Sequence, residues 1–374
     1  MAGGSLSILI STFLLNKHLN ATDFGQYAII FTAIAIVSSI GLLGTDHALF
    51  RYARIRNEKI EITKKSLAHT CMAGVIVTAT LSTYTLLYTQ NCWQTPIIIT
   101  AACLNHFLYT LSRIQGRQFK AQTYANLWKL IFTLSLLALT SQKHLSLNST
   151  LNALLFSLVI STFLQCIATP PKLSTLNNSK TQKGSYSGFF ISALVLTLMG
   201  FLDRLLINEH FELEDIGIYF YYATIALMPF RFLSGYIAAD RSIAYKEHSD
   251  IKKFKRDLFY CLLCATTLAA FITLGLAIAN PILPAPVELN DLYLALIAGG
   301  ITRIFYSVFS ARVSLTSNPT DIRNEGILFA LFCTTILIVT ATIQIETLST
   351  AAWIVCLLWI LRILQYCFRL IKWH

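Results

Sequence analysis

The chain has 374 residues, 55% hydrophobic and 13% charged, with mean hydropathy +0.61 and a formal net charge of +11. Ordinary soluble domains are about 45–50% apolar and about 25% charged, so this composition excludes them and points to a polytopic membrane protein. The basic excess reads as the lining of one membrane face and needs no nucleic acid.

A helix needs about 20 apolar residues to cross the hydrocarbon core. Continuous apolar runs predict twelve spans: 2–16, 25–44, 67–88, 95–112, 125–141, 151–169, 187–207, 216–238, 258–280, 292–310, 326–345 and 348–368. The first is short, and the fourth is interrupted by Asn105 and His106. Continuous blocks argue against a β-barrel, whose strands would alternate in polarity over about ten residues. No connection is long enough to hold a separate soluble domain. The first run starts almost at Met1 without a basic leader, and no small-residue cleavage site precedes Lys17, so no removable signal is expected. Cys71, Cys103, Cys166, Cys333 and Cys356 sit singly in apolar runs, as small hydrophobes do. Cys261 and Cys264 lack a second Cys or His pair, so neither a metal nor a cofactor is expected.

Lys and Arg set the orientation. With a cytoplasmic start, 51–66, 113–124, 170–186, 240–257, 311–325 and the tail 362–374 hold 23 of the 29 basic residues. The opposite face holds three, Lys17, Lys143 and Arg204, while Lys129, Arg231 and Arg303 fall within spans. Both termini are therefore predicted to be cytoplasmic.

The polar stretch TPPKLSTLNNSKTQKGSY, with Pro170 and Pro171, reads as a loop. It divides the chain into an N-terminal lobe at 1–168, a cytoplasmic linker at 169–186 and a C-terminal lobe at 187–374. The halves share a pattern between their first and second spans: Asp23-Phe24-Gly25-x-Tyr27 aligns with Asp215-Ile216-Gly217-x-Tyr219. Parallel repeats of this kind are one of the transporter architectures.

The segment LLNKHLNATDFGQYAIIFTAIAIVSSIGLLGTDHALFRYARI resembles the opening of polysaccharide and O-antigen flippases, in the multidrug/oligosaccharidyl-lipid/polysaccharide exporter superfamily. Its landmarks are Asp23 to Tyr27, the Gly41 to Gly44 run and the ending ALFRY. FLDRLLINEHFELEDIGIYFYYATIAL is similar to the seventh-to-eighth helix region of the same family. The resemblance implies an all-α polytopic fold of about twelve transmembrane helices in two six-helix lobes forming a V around a central cavity. It implies flipping of undecaprenyl-diphosphate-linked oligosaccharide across the bacterial inner membrane by alternating access, for O-antigen or other surface polysaccharide synthesis. Lipid-linked oligosaccharide and membrane lipids would then be its partners, with a polysaccharide polymerase and a chain-length regulator beside it. The activity implied is transport, not enzymatic bond-making.

A diphosphate head crossing a low-dielectric path calls for fixed positive charge, and Arg binds phosphate oxygens in pairs while staying protonated. Ionisable residues inside spans normally face the bundle interior or a wet cavity. Arg231 and Arg303 are the leading candidates, each 11–15 residues from the external end of its span, about 16–22 Å deep. Snorkelling to the headgroups is the structural alternative. Arg51 and Arg113, at cytoplasmic helix ends, are candidates for catching the anionic head, although helix-end charge complementarity explains them equally well. His69 and His106 read as structural. Trp93, Tyr219 and Trp353 read as interfacial anchors. Asp203 and Arg204 lie near the external end of the seventh run, and adjacent helix residues point about 100° apart, so they cannot pair face to face. One of the two can face the cavity while the other reaches the interface, so both Asp203 and Arg204 are candidates for binding substrate in the cavity. Asp203 is the only acid within a span and is expected to bond across the lobes on the external side.

An H⁺- or Na⁺-coupled drug exporter of the same superfamily is the main alternative. It would need a membrane carboxylate that binds and releases the ion, and the first half has none in a span core. A polysaccharide polymerase or glycosyltransferase would want a sizeable loop or cytosolic domain. A non-transport scaffold would not need embedded arginines.

Overall fold

Among the described residues of a computed structural model, twelve α-helices follow one another with the spacing that the apolar runs predict. They are α1 (Ala2–His18), α2 (Ala21–Ile40), α3 (Lys64–Tyr88), α4 (Thr95–Ile114), α5 (Gln118–Ser141), α6 (Leu147–Ala168), α7 (Ser185–His210), α8 (Leu213–Glu247), α9 (Ile251–Ala279), α10 (Asp291–Thr316), α11 (Pro319–Thr342) and α12 (Leu348–Lys372). The description covers the chain except 1, 47–48, 50–52, 57–58, 90–91, 169, 171–172, 177–184, 248–250, 282, 284, 317–318, 343–344 and 373–374. Within it, nine helices are long and apolar enough to cross a membrane. The protein is an all-α, multi-pass membrane protein.

Local chemistry explains where the repeated motif sits. Asn20 precedes α2, and its side-chain oxygen accepts from the Asp23 N–H at 2.7 Å, which caps the helix. Asp23 then lies in the first turn of α2, as Glu214 and Asp215 lie in the first turn of α8, where the helix dipole favours negative charge. One turn further, Tyr27 and Tyr219 point inward and are buried. Leu43 and Gly44 take positive φ values of 48° and 73°, which turn the chain out of α2. Large apolar side chains such as Val75, Leu87, Ile278 and Leu328 face outward, where the surrounding medium is lipid. Buried hydroxyls bond back to their own helix: Thr70 Oγ1 donates to the Ser66 carbonyl at 2.9 Å.

The chain divides into two compact units, residues 1–201 and 202–374, with the division inside α7. In the N-terminal unit α5 packs on α6, α1 and α4. The same unit holds a small sheet that the sequence does not predict. Strand β1 (Arg54–Arg56) pairs antiparallel with β2 (Lys59–Thr63), and β2 pairs parallel with β3 (Leu173–Leu176). Part of the expected loop at 169–186 is therefore a strand. Its physical basis is the alternation in β2, which turns Ile60 and Ile62 onto a buried cluster with Leu49, Leu111 and Ile114.

In the C-terminal unit α10 is central and packs on α8, α12 and α9. The connection expected at 240–257 is largely helical, because α8 runs on to Glu247 and α9 starts at Ile251. Asp257, 3% exposed at its side chain, holds the two extensions together. It accepts from Arg241 Nη1 and from the Tyr245 hydroxyl, both at 2.9 Å. Burial first, then the bond to Asp257 and its charge, push the Tyr245 phenol's pKa up, so the hydroxyl remains a donor.

Two helices of this unit approach closely at Gly300 of α10. A Cβ there would lie 2.5 Å from the Phe230 ring on α8, and Phe230 is fully buried. Small residues at helix contacts allow such approach in membranes. Gly300→Ala is expected to destabilise the protein by about 1–3 kcal/mol through overpacking. Thermal unfolding in detergent checks this, and adding Phe230→Leu should recover most of the loss. An unchanged Tm in the single variant would contradict the contact.

Candidate functional site

Asp203 and Arg204 are followed by Leu205, Leu206 and Ile207 and the helix continues to His210, so the pair lies inside α7 rather than at its terminus. Both are buried, at 3% and 6% exposure. Both side chains are thus packed inside the unit, where the sequence allows one of them to reach the interface. The Arg204 guanidinium carbon lies 5.2 Å from the centre of the Phe220 ring on α8, a cation–π contact. Asp203 Oδ2 accepts from the Tyr219 hydroxyl at 2.6 Å. One expectation is corrected by this bond. Tyr219 is 2% exposed and bonded to a carboxylate, so it is no interfacial anchor. The bond of Asp203 to Tyr219 is made within the C-terminal unit, to the next helix.

Arg231, on α8 beside Phe230 and two residues after the in-helix Pro229, interacts electrostatically with Asp203 and Tyr219. Its side chain is half-buried, with Nε fully so. Arg303, on α10 one turn beyond Gly300, interacts with Arg231, Arg204 and Asp203. Its guanidinium carbon stands 5.3 Å from the Trp359 ring on α12. The contact between Gly300 and Phe230 brings α8 and α10 together beside the residues that carry Arg231 and Arg303.

The result is one electrostatic cluster drawn from α7, α8 and α10. Among the described residues it contains three guanidinium groups, Arg204, Arg231 and Arg303, and one carboxylate, Asp203. Burying charge in this setting is costly unless opposite charge or hydrogen bonds compensate. Arginine holds its proton where lysine would shed it. Three guanidinium groups against one carboxylate have the charge and the donors to pair with a multiply charged oxyanion, such as a phosphate or diphosphate.

The other candidates lie elsewhere. Arg113 is exposed in the N-terminal unit, its guanidinium carbon 5.4 Å from the Tyr109 ring, and it is not a member of this cluster. Arg51 falls outside the described residues. His106 Nε2 is 3.8 Å from Asp46 Oδ2, a structural contact in the N-terminal unit. Trp93 is 66% exposed, and Trp353, 37% exposed, donates from Nε1 to Asp291 Oδ1 at 3.1 Å. Sequence reading missed Tyr219 as a member of the site. The available signal was its spacing of sixteen residues from Asp203, across the short turn at 211–212.

No known family profile and no curated protein match the chain. Solved structures do. The chain superposes on the lipid II flippase MurJ in an inward closed conformation with a TM-score of 0.69, at 11% identity, covering 98% of this chain and 85% of that one. It superposes on an inward-facing multidrug resistance MATE family transporter of the MOP superfamily at 0.63, with 12% identity and coverage of 98% and 94%. The chain shares its fold with these two solved proteins. A third protein with this fold, a MOP superfamily transporter from Pyrococcus furiosus Vc1, matches at TM-score 0.52 and 14% identity, covering 98% and 86%, and is described by the reversed polarity of its binding pocket. The MOP fold is thus shared by proteins whose pockets differ in polarity, so residues, not fold, must carry the functional reading.

Removing the hydroxyl in Tyr219→Phe leaves a buried carboxylate short of a donor. The expected loss is about 1 kcal/mol, read as a lowered Tm in detergent. An unchanged Tm would show that the bond does not hold α7 to α8.

Proposed function

We propose that the protein flips an anionic lipid-linked oligosaccharide, carried on undecaprenyl diphosphate, across the bacterial inner membrane by alternating access. O-antigen or another surface polysaccharide is the end product, with a polymerase and a chain-length regulator as downstream partners. The observation that carries the reading is the sign of the buried cluster: Arg204, Arg231 and Arg303 outnumber Asp203. A diphosphate head offers paired oxygens to guanidinium forks and meets the excess of positive charge. Fold similarity to a lipid II flippase supports a lipid-linked cargo. The placement of 23 of 29 basic residues on one face supports cytoplasmic termini.

The coupled drug exporter keeps one supporting observation, the similarity to a MATE transporter. Against it stands the cluster's charge, which repels cationic drugs. The only carboxylate of the cluster already accepts from Tyr219. Arg303→Glu separates the readings. With normal insertion, it is expected to cut surface polysaccharide by about 10–100-fold, the equivalent of losing a charge-assisted contact. Arg303→Lys, which keeps the charge and loses the fork, should fall between. Normal polysaccharide in a correctly inserted Arg303→Glu protein would end the flippase reading.

A further inference from the structure

The N-terminal unit carries a lysine with no counterpart in the cationic cluster. Lys129 lines a cavity of about 140 Å³ formed largely by α4 and α5, together with Asn105, His106, Tyr109, Gln122 and Asn126. Its ammonium donates to Asn126 Oδ1 at 2.8 Å and lies 5.7 Å from the Trp128 ring. Gln122 Nε2 donates to the Tyr109 hydroxyl at 2.5 Å, and Asn126 Nδ2 donates to the Gln122 carbonyl at 2.8 Å. The chain has no Asp or Glu between Glu61 and Asp203, so α3, α4, α5 and α6 bring no carboxylate to this ammonium. His106 faces Asp46 at 3.8 Å. An embedded ammonium with only neutral hydrogen-bond partners on its own and adjoining helices is a site for an anion.

A second hollow adjoins the first. A groove of about 700 Å³ between α1 and α5 is lined by Gly3, Gly4, Phe119, Leu127 and Leu130, and shares Gln122 and Asn126 with the polar cavity. Phe119 is 85% exposed and Leu130 49%, so the groove opens toward lipid. A Cβ on Gly3 would meet nothing within 4 Å. The same two amides therefore wall an apolar channel on one side and a lysine cavity on the other.

We propose that this face of the N-terminal unit binds one anionic amphiphile. Its chain lies in the groove between α1 and α5, and its compact phosphate or carboxylate head turns in past Gln122 and Asn126 to Lys129. The site is separate from the cluster of Arg204, Arg231 and Arg303, and does not depend on the flippase reading.

The test uses the full chain in phosphatidylcholine nanodiscs and radiolabelled dodecyl phosphate. Wild-type protein is expected to bind it saturably. Lys129→Met, which keeps the stem and removes the charge, should weaken binding about tenfold, the scale of one charge-assisted contact. Lys129→Arg should retain it. Thr123→Trp fills the groove from an exposed position and should also weaken binding. Each variant is compared with its parent in an Arg303→Met background, so that the cationic cluster of the C-terminal unit does not supply the change. Excess inorganic phosphate should fail to displace the probe. Absence of saturable binding, indifference to Lys129→Met, or indifference to Thr123→Trp would overturn the proposal. Displacement by that excess of inorganic phosphate would also overturn it, since the site would then read a free anion and not a lipid.

Discussion

Three guanidinium groups held with one carboxylate inside an apolar helical unit are the constraint to which the rest of the C-terminal unit answers. Each charge loses favourable hydration on burial, and the arrangement persists only because surrounding groups compensate. Tyr219 donates to Asp203, and the faces of Phe220 and Trp359 stand over Arg204 and Arg303. The scaffold is fixed around these contacts. α7 runs past the pair to His210, Gly300 lets α8 close on α10, and Asp257 joins the extended ends of α8 and α9. An arrangement that concentrates like charge is poor design for stability alone. On the proposed function, the excess of positive charge is met by the anionic head of the cargo.

The two halves show how one motif serves different chemistry. Each second helix opens with an acid in its first turn and turns a tyrosine inward one turn later. In α8 that tyrosine meets Asp203. In α2 its counterpart Tyr27 stacks on Phe132, with ring centres 6.2 Å apart. The motif therefore specifies a helix start and an inward-facing ring, while the charge of the partner decides whether the place is packing or site. The N-terminal unit has its own polar feature at Lys129, built from amides and aromatic rings.

The helices were legible because membrane thickness imposes one length of apolar run, and that rule needs no knowledge of tertiary contacts. It is blind to what lies beyond the hydrocarbon. The charged stretch 239–257 carries no apolar signal, so the extensions of α8 and α9 were invisible, as was the burial of Asp257. The sheet was missed because its strands are three to five residues long and one lies in a polar loop. Ile60-Glu61-Ile62 was the alternation that could have betrayed it. At the candidate site, Arg231 and Arg303 stood out because charge within a span is rare. For Asp203 and Arg204, near the end of their run, the sequence leaves open which of them faces inward, and both prove to be buried. Tyr219 was misread for a related reason: tyrosine near a helix start is as suited to an interface as to a buried bond, and only the position of Asp203 decides between them.

The most direct measurement is a structure of the protein with a short prenyl diphosphate, such as farnesyl diphosphate, bound. The account predicts diphosphate oxygens about 3 Å from the guanidinium nitrogens of Arg204, Arg231 and Arg303, the spacing of charge-assisted hydrogen bonds. A diphosphate bound away from all three, or those three guanidinium groups found against acyl chains with no room for an anion, would contradict it.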